Sequence, residues 1–210
     1  MKRVCVYCGS NFGAAAEYAA AARRCGAVLA ARGLTLVYGG GNVGLMGVLA
    51  DAALGAGGEV IGVIPRRMIE REVAHHGVTS LIAVDSMHER KQQMMDLADA
   101  FLALPGGIGT LEELFEAFTW LQLGLHHKPV GLLNVAGFYD PLLQFLAHLR
   151  EKRFLKPQHF DALLVDAEVE GLLDKLGVFE AQPVGKWMDG KKSEARDPKS
   201  EGSPKAEVRK

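Results

Sequence analysis

The stretch AFLALPGGIGTLEELFEAFTWLQLG, residues 100–124, shows the pattern on which the fold of this chain depends. It starts as an uninterrupted apolar run, passes through a loop with three glycines, and continues with the apolar spacing of a helix. Uninterrupted apolar runs are typical of strands in a parallel sheet that is covered on both faces. The glycines indicate that a ligand approaches the backbone between this strand and this helix.

The same succession of strand and helix patterns repeats along the chain. It predicts a doubly wound α/β fold of the Rossmann type, with a mostly parallel sheet and helices on both faces. Ligands bind such folds at the carboxyl ends of the strands, near the point where the strand order reverses. The predicted strands are 3–8, 34–40, 59–65, 80–86, 100–105 and 128–135, and the predicted helices are 14–33, 43–57, 87–98, 109–124, 139–152 and 166–177.

The composition is ordinary for a soluble globular protein. The chain has 210 residues, of which 49% are hydrophobic and 23% are charged, and this length suffices for one sizeable core. A formal net charge of −1 gives no general attraction to nucleic acid or to an anionic membrane. No apolar run approaches the roughly 20 residues that span a bilayer, and the first ten residues read as a strand rather than a signal peptide. We therefore expect a cytoplasmic protein with no nucleic acid or membrane partner.

The composition changes near residue 185. Residues 186–210 contain eight basic and five acidic residues and few apolar ones, which gives them a net charge of +3 against −4 for residues 1–185. Such a segment cannot bury enough surface to fold alone. We expect one nucleotide-binding catalytic domain over residues 1–185 and a disordered tail over residues 186–210. The alternative for the tail is a weak docking segment for an acidic partner.

The odd number and the low density of the cysteines, three in all, argue against a disulfide framework. Cys5 and Cys8 form a C-x-x-C motif, which redox and zinc sites also use. Here the first cysteine lies within a strand pattern, where odd spacing points the two side chains to opposite faces. We expect all three cysteines to serve packing.

Two glycine-containing loops follow the first and second predicted strands. In CGSNFG, residues 8–13, Ser10 either binds a ligand together with the loop backbone or caps the next helix. In GGGNVGLMG, residues 39–47, Gly39, Gly41 and Gly44 fit the G-x-G-x-x-G pattern of dinucleotide sites. This motif follows the second strand rather than the first, and the next strand ends without an acidic residue for a ribose. We expect a nucleotide or phosphate nearby rather than NAD.

Two further loops carry charged side chains at helix starts. DSMHERK, residues 85–91, places cations in a first helical turn, against the helix dipole, which favours an anionic ligand; capping by Asp85 or Ser86 is the alternative. In PGGIGTLEE, residues 105–113, the glycines and Thr110 are suited to a phosphate at the helix N-terminus. Thr110 and Glu113 also fit a capping box. No Walker lysine follows the loop.

These segments together resemble the Lonely Guy family. PGGIGTLEE matches the family motif P-G-G-x-G-T-x-x-E, and YCGSNFG, VYGGGNVGLMG, VIGVIP, MHERK and FTWLQLGLHHKPVGLLN look like family segments in the family order. The resemblance covers roughly residues 3–155 and lies outside the tail. It implies a cytokinin riboside 5′-monophosphate phosphoribohydrolase, a type of enzyme often mislabelled as a lysine decarboxylase. It also implies that no metal or redox cofactor is needed, and that the chain forms a homodimer or a larger homo-oligomer.

The resemblance also implies functional residues. Arg90 and Glu113 match the catalytic pair of the family, and no residue is expected to bind a metal. The positions expected to bind a purine nucleoside monophosphate are Ser10, Gly41, Glu72, Met87, Arg90, Lys91, Gly106, Gly107, Ile108, Gly109, Thr110, Leu111, Glu112 and Thr119.

The implied chemistry is consistent with these residue types. Breaking a ribosyl C–N bond gives the sugar oxocarbenium character, which a carboxylate such as Glu113 can stabilise while it activates water. Arg90 could stabilise the departing base or clamp the phosphate. A non-catalytic purine nucleotide-binding module is the alternative function. The preferred base, AMP or an N6-substituted AMP, stays open, and helix 109–124 could serve either an interface or the core.

Overall fold

One seven-stranded sheet forms the centre of the computed structural model, which describes residues 1–69 and 73–181. All strands are parallel and lie in the order β4-β3-β2-β1-β5-β6-β7. The predicted fold class is confirmed. The strands are β1 (Arg3–Tyr7), β2 (Thr35–Tyr38), β3 (Val60–Pro65), β4 (Ser80–Val84), β5 (Ala100–Ala103), β6 (Val130–Leu133) and β7 (Leu163–Asp166).

Helices cover both faces of this sheet. Helices α1, α2 and α8 pack against one face, and α4, α5 and α6 pack against the other. Because each face contacts a separate apolar cluster, the strands are buried on both sides, and their sequences therefore lack polar alternation. The helices are α1 (Ala16–Ala31), α2 (Gly44–Gly55), α3 (Arg66–Ile69), α4 (Met87–Leu97), α5 (Ile108–Gln122), α6 (Asp140–Glu151), α7 (Pro157–Asp161) and α8 (Val169–Gly177).

The cysteines belong to these two clusters. Cys5 lies in the cluster beneath α4 and α5, whereas Cys8 and Cys25 lie in the cluster beneath α1 and α2. All three are free and buried. Burial raises the pKa of the Cys25 thiol to about 12, so this thiol stays protonated near neutral pH. The prediction that the cysteines serve packing is confirmed.

The last part of the described chain differs from the prediction. Leu163–Asp166 forms the edge strand β7, and the final helix starts at Val169 rather than at residue 166. The strand has four residues and is recognisable only through its parallel pairing with β6, which a local pattern does not contain. The predicted boundary at residue 185 and the predicted tail lie outside the described residues.

The strand order reverses between β1 and β5. From β1, the chain adds β2, β3 and β4 on one side, and it later adds β6 and β7 beyond β5 on the other. Loops that leave neighbouring strands in opposite directions open a cleft at the carboxyl ends of those strands. In this protein, the two loops follow Tyr7 and Ala103. A hydrogen bond from Gly9 N to Pro105 O (3.1 Å) joins them. Among residues 1–69 and 73–181, no helix is both long and apolar enough to cross a membrane.

Candidate active site

A cavity of about 610 Å³ opens at this reversal point. Its volume lies within the range of small-molecule sites, roughly 300–1,000 Å³. The loop after β1, the loop after β5 and the first turns of α4 and α5 all contribute to its wall. The position of the cavity is therefore the one that the parallel sheet predicts for a ligand.

The amino terminus of α5 forms part of the wall. The helix begins at Ile108 with Gly107 as its N-cap, and no side chain caps it. The first backbone N–H groups of a helix have no partner within the helix, and the dipole gives this end a positive potential. Because residues 106–110 line the cavity, this end of α5 is suited to bind an anion. The alternative of a capping box formed by Thr110 and Glu113 is wrong, since Thr110 is the third residue of the helix rather than its cap.

Gly106 is required by the close packing of this turn. A Cβ atom at Gly106 would lie 2.1 Å from Oγ1 of Thr110 and 2.9 Å from the backbone nitrogen of Gly9. Thr110 itself is buried. The absence of a side chain at Gly106 thus allows the loop after β1 to pack directly against the start of α5 at the wall of the cavity.

Arg90 enters the cavity from the first turn of α4. That helix is capped by Ser86, whose Oγ accepts a hydrogen bond from Glu89 N (3.1 Å), as the alternative interpretation of this segment had it. The guanidinium of Arg90 donates from Nε to Val63 O and from Nη2 to Gly39 O, both at 3.0 Å. A Cβ at Gly39 would lie 1.8 Å from Nη2 of Arg90. The arginine is therefore held rigidly by two backbone carbonyls, and one glycine of the second loop makes room for it.

Glu113 lies beside Arg90 inside the same cavity. Its Oε1 is 3.5 Å from Nη1 of Arg90, and the two side chains are only 13% and 10% exposed. Burial raises the pKa of the Glu113 carboxyl to about 7, although the positive charge of Arg90 acts in the opposite direction. A carboxyl group with this pKa can both accept and donate a proton near neutral pH, as a catalytic acid or base must.

This pKa predicts a pH-dependent effect of Glu113→Gln on stability. The folded-state pKa of about 7 exceeds the ordinary value of 4.5, so folding is favoured most below pH 4.5 and the advantage is lost as the pH rises through 7. Glutamine removes this titration. The unfolding free energy of the wild type should therefore fall, relative to that of the variant, by on the order of 3 kcal/mol when the pH is raised from 5 to 8. Urea unfolding of both proteins at the two pH values measures it, and a constant difference would contradict the raised pKa.

Lys91 lies outside the cavity wall, although it follows Arg90 directly. Its ammonium group pairs with Oε1 of Glu116 at 3.0 Å and also with Glu112. Burial lowers the pKa of Lys91, but the hydrogen bonds with these two glutamates outweigh burial and leave the pKa raised. Glu112, in turn, lines the cavity while it holds this lysine.

The structure brings most of the predicted site residues together, but not all of them. Ser10 lines the cavity and does not cap α1, whose N-cap is Ala15. Glu72 lies outside the described residues. The predicted residues that line the cavity are Ser10, Met87, Arg90, Gly106, Gly107, Ile108, Gly109, Thr110, Glu112 and Glu113, whereas Gly41, Lys91, Leu111 and Thr119 are not part of its described wall.

Other residues of the wall were not predicted. Phe138 follows β6 and packs edge-to-face on Tyr18 of α1, with ring centroids 5.5 Å apart. No local pattern marks either ring, because their contact depends on how α1 and β6 meet. Asn11 belongs to a loop that the sequence had already singled out. The side chains added by the structure include Asn11, Phe12, Tyr18, Met46, Met68 and Phe138.

Metal coordination has no candidate among residues 1–69 and 73–181. Within these residues, no group of three or more His, Cys, Asp or Glu side chains is arranged so that it could hold a metal ion.

Comparison with solved structures supports the fold. A molybdenum cofactor binding protein from Rippkaea orientalis superposes with a TM-score of 0.64 at 22% identity, over 84% of this chain and 96% of that one. The molybdenum cofactor carrier protein of Chlamydomonas reinhardtii gives 0.61 at 21% identity, over 84% and 96% of the two chains. At these identities, the similarity concerns the fold alone.

Sequence comparison is more specific. The family model described as "possible lysine decarboxylase" matches residues 46–176. The cytokinin riboside 5′-monophosphate phosphoribohydrolase LOG of Oryza sativa subsp. japonica is 57% identical over 145 residues, which are 69% of this chain and 60% of the rice protein. LOG1 of Arabidopsis thaliana, with the same activity in its name, is 47% identical over 83% of this chain and 82% of its own length. The chain therefore belongs to the Lonely Guy (LOG) family, as the resemblance of its motifs predicted.

Proposed function

We propose that this protein hydrolyses the N-glycosidic bond of purine nucleoside 5′-monophosphates, AMP or its N6-substituted derivatives, and releases the free base and ribose 5-phosphate. Relatives from rice and Arabidopsis that are named for this class of activity support the proposal. The observation that carries it is the buried pair of Arg90 and Glu113, which shares one cavity with a helix N-terminus suited to an anion.

The 5′-phosphate is assigned to the start of α5. Residues 106–110 offer unpaired backbone N–H groups and the hydroxyl of Thr110, and all of them line the cavity. A dianionic phosphate at this end interacts favourably with the helix dipole. Its binding energy can then be used to position the ribose for the reaction.

Glu113 lies one helical turn further along α5 and is assigned to the ribose. As the bond between C1′ and the base nitrogen breaks, its electron pair leaves with the base and C1′ becomes electron-poor. The ionised carboxylate stabilises this centre and removes a proton from the water whose oxygen bonds to C1′. The base nitrogen takes up one proton in exchange, so that the neutral base is released and Glu113 returns to its ionised form. A pKa of about 7 keeps a large fraction of Glu113 ionised at neutral pH.

Arg90 is assigned to the charge and position of Glu113. Its Nε and Nη2 atoms already donate to Val63 O and Gly39 O, so Nη1 is the part of the guanidinium that lies beside the carboxylate. This arrangement suits a residue that holds Glu113 and stabilises the negative charge leaving with the base. It suits a bidentate phosphate clamp less well, because such a clamp uses two parallel N–H groups that face outward.

The alternative activities fit the cavity less well. A Schiff-base lysine, as pyridoxal phosphate chemistry uses, needs a lowered pKa, whereas the pKa of Lys91 is raised and no lysine is found among the described lining residues. A buried carboxyl group with a pKa near neutrality inside a cavity is typical of a catalytic acid or base, and binding alone does not need one. Both points favour a hydrolase.

A homo-oligomer in the cytoplasm completes the proposal. Thr119 is exposed on α5 and lies outside the cavity of its own chain. A second copy packed on α5 would give this side of the helix a partner. Light scattering coupled to size-exclusion chromatography tests the oligomer, and a mass near 22.6 kDa would contradict it.

The phosphate assignment predicts strong discrimination between a nucleotide and its nucleoside. We expect kcat/KM for AMP or isopentenyl-AMP to exceed that for the corresponding riboside by on the order of 10²-fold or more, because the riboside lacks the charge-assisted hydrogen bonds to the start of α5. Chromatography of the released base measures both rates. Equal turnover with and without phosphate would contradict the assignment, and no release from any nucleotide would contradict the activity.

A further inference from the structure

Lys91 of α4 is shared by two carboxylates of α5, and only one of them belongs to the cavity. Its Nζ atom pairs with Oε1 of Glu112 and, at 3.0 Å, with Oε1 of Glu116. Glu112 lines the cavity, whereas Glu116 is not part of its described wall. The proposed function does not explain why one lysine is paired with two glutamates at this place.

The three side chains differ in their exposure to water. Lys91 is 14% exposed and Glu116 is 26% exposed, whereas Glu112 is 52% exposed. An ammonium group at so sheltered a position loses part of its hydration and therefore needs a carboxylate partner. Glu116 supplies this partner even when Glu112 turns away. Glu112 is thus the carboxylate of the two that can move towards a ligand.

The spacing of the two glutamates also favours such a movement. Glu112 and Glu116 are four residues apart within α5, so they lie on the same face of the helix, where like charges repel each other. Lys91 offsets this repulsion in the structure. When a ligand offers hydrogen-bond donors to Glu112, the repulsion from Glu116 favours its departure from the lysine.

The position of Glu112 indicates which part of a ligand it can bind, and this step rests on the proposed function. Glu112 follows residues 106–110, which are assigned to the phosphate, and directly precedes Glu113, which is assigned to the ribose. A ribose carries two neighbouring hydroxyl donors, at C2′ and C3′. An ionised carboxylate has two acceptor oxygens and no donor. The diol is therefore the part of a nucleoside monophosphate that suits Glu112.

We propose that Glu116 is a positioning residue, which holds Lys91 while Glu112 leaves this lysine and accepts hydrogen bonds from the 2′ and 3′ hydroxyl groups of the ribose. Lys91 thereby keeps a carboxylate partner in both states of the protein. The exchange makes Glu112 available for binding and gives the site a preference for ribonucleotides over 2′-deoxyribonucleotides. A carboxylate fixed to Lys91 in both states would give no such preference.

Calorimetric titration with AMP and with 2′-deoxy-AMP tests the proposal. Full-length Glu113→Gln is the parent protein, because the ligand then survives the titration, and chromatography of each sample measures any released base. We expect the parent to bind AMP more tightly by about tenfold or more, because the deoxy ligand lacks one hydrogen bond to a charged group. Adding Glu112→Gln removes that charge and should reduce the preference to about threefold or less.

Two further variants of the parent test the role of Glu116. Glu116→Gln makes Glu112 the carboxylate on which Lys91 depends, so the preference for AMP should again fall to about threefold or less. Lys91→Met, added to Glu116→Gln, removes the ammonium group and frees Glu112, so the preference of about tenfold should return. A merely structural role of Glu116 cannot give this recovery, because a second substitution in the same contact would then weaken binding further.

Two comparisons control this experiment. The preference for AMP over adenosine reports the phosphate at the start of α5 and should be the same in all these variants. Glu170→Gln removes a carboxylate that pairs with Arg24 at 2.6 Å on the surface of α8, and it should leave both preferences unchanged. Circular dichroism verifies that every variant is folded.

Equal binding of AMP and 2′-deoxy-AMP by the parent would overturn the proposal. A preference that persists in Glu112→Gln or Glu116→Gln, or that Lys91→Met fails to restore, would also overturn it. A preference that is lost and then restored supports it. Base release by the wild-type protein tests the proposed function separately: release without the preference contradicts this inference alone, and the preference without release contradicts the proposed hydrolysis alone.

Discussion

Glu113→Gln is expected to lower kcat for release of the base from AMP by about 10²–10⁴-fold, the usual contribution of a positioned acid or base. Glutamine has nearly the same shape but carries no negative charge and cannot accept a proton. It therefore loses both the stabilisation of the electron-poor C1′ and the activation of water. We expect KM to change by less than about threefold, since these interactions are made chiefly in the transition state.

The pH dependence of the wild-type rate belongs to the same prediction. Because the carboxylate must be ionised to act, kcat/KM, which reports the ionisation of the protein before substrate binds, should rise with pH through the Glu113 pKa of about 7. The residual activity of Glu113→Gln should lack this rise. Base release from AMP, followed by chromatography between pH 5 and pH 9, measures both curves.

Glu151→Gln is a matched control for this experiment. Glu151 lies at the end of α6, is exposed, and takes no part in the cavity wall. Its loss should leave kcat and the pH profile unchanged. Normal base release by Glu113→Gln would show that Glu113 is not the catalytic carboxylate. Its role would then be limited to binding the substrate.

Arg90→Met is expected to have the second large effect. The substitution removes a buried cation that donates to Val63 O and Gly39 O and that lies 3.5 Å from Glu113. Breaking a buried ion pair commonly costs 3–5 kcal/mol, because the remaining charge and carbonyl groups lose their partners. We expect a loss of unfolding free energy of about this size, together with a fall in kcat of on the order of 10²-fold or more.

The kinetic pKa distinguishes this role from a merely structural one. Arg90 lowers the pKa of Glu113 against the effect of burial, so its removal should move the rise of kcat/KM to a pH clearly above 7. Arg90→Lys retains a positive charge but cannot donate to both carbonyls and also approach Glu113, so a smaller shift is expected. Arg23→Met, at an exposed position of α1, is the control. A reduced rate with an unchanged pH profile would show that Arg90 does not control the charge of Glu113.

Local patterns predicted the elements that position the site. The apolar runs identified six of the seven strands because strands buried on both faces cannot contain regular polar residues. The edge strand Leu163–Asp166 escaped because it has four residues and depends on its pairing with β6. The start of α5 was placed one residue late, and the capping box depended on that start, so Thr110 turned out to face the cavity from within the helix.

The candidate site was predicted as a set of residues rather than as a geometry. Spacing placed Arg90 and Glu113 at the starts of two helices, and the family motif assigned both to catalysis. That Arg90 is held by Gly39 O and Val63 O, and thus faces Glu113, depends on loops that are distant along the chain. The aromatic contact of Phe138 with Tyr18 likewise depends on segments that are distant along the chain.

The sequence by itself determined the fold class, the family and the loops that line the candidate site, because strand burial, helix periodicity and glycine turns are local properties. The tertiary structure decided the charge state of the site. A glutamate in a sequence has an ordinary pKa, and only burial between α4 and α5, opposed by one fixed guanidinium, brings the pKa of Glu113 to about 7. Long-range packing sets the local dielectric and the distances between charges, and neither can be read from the order of residues along the chain.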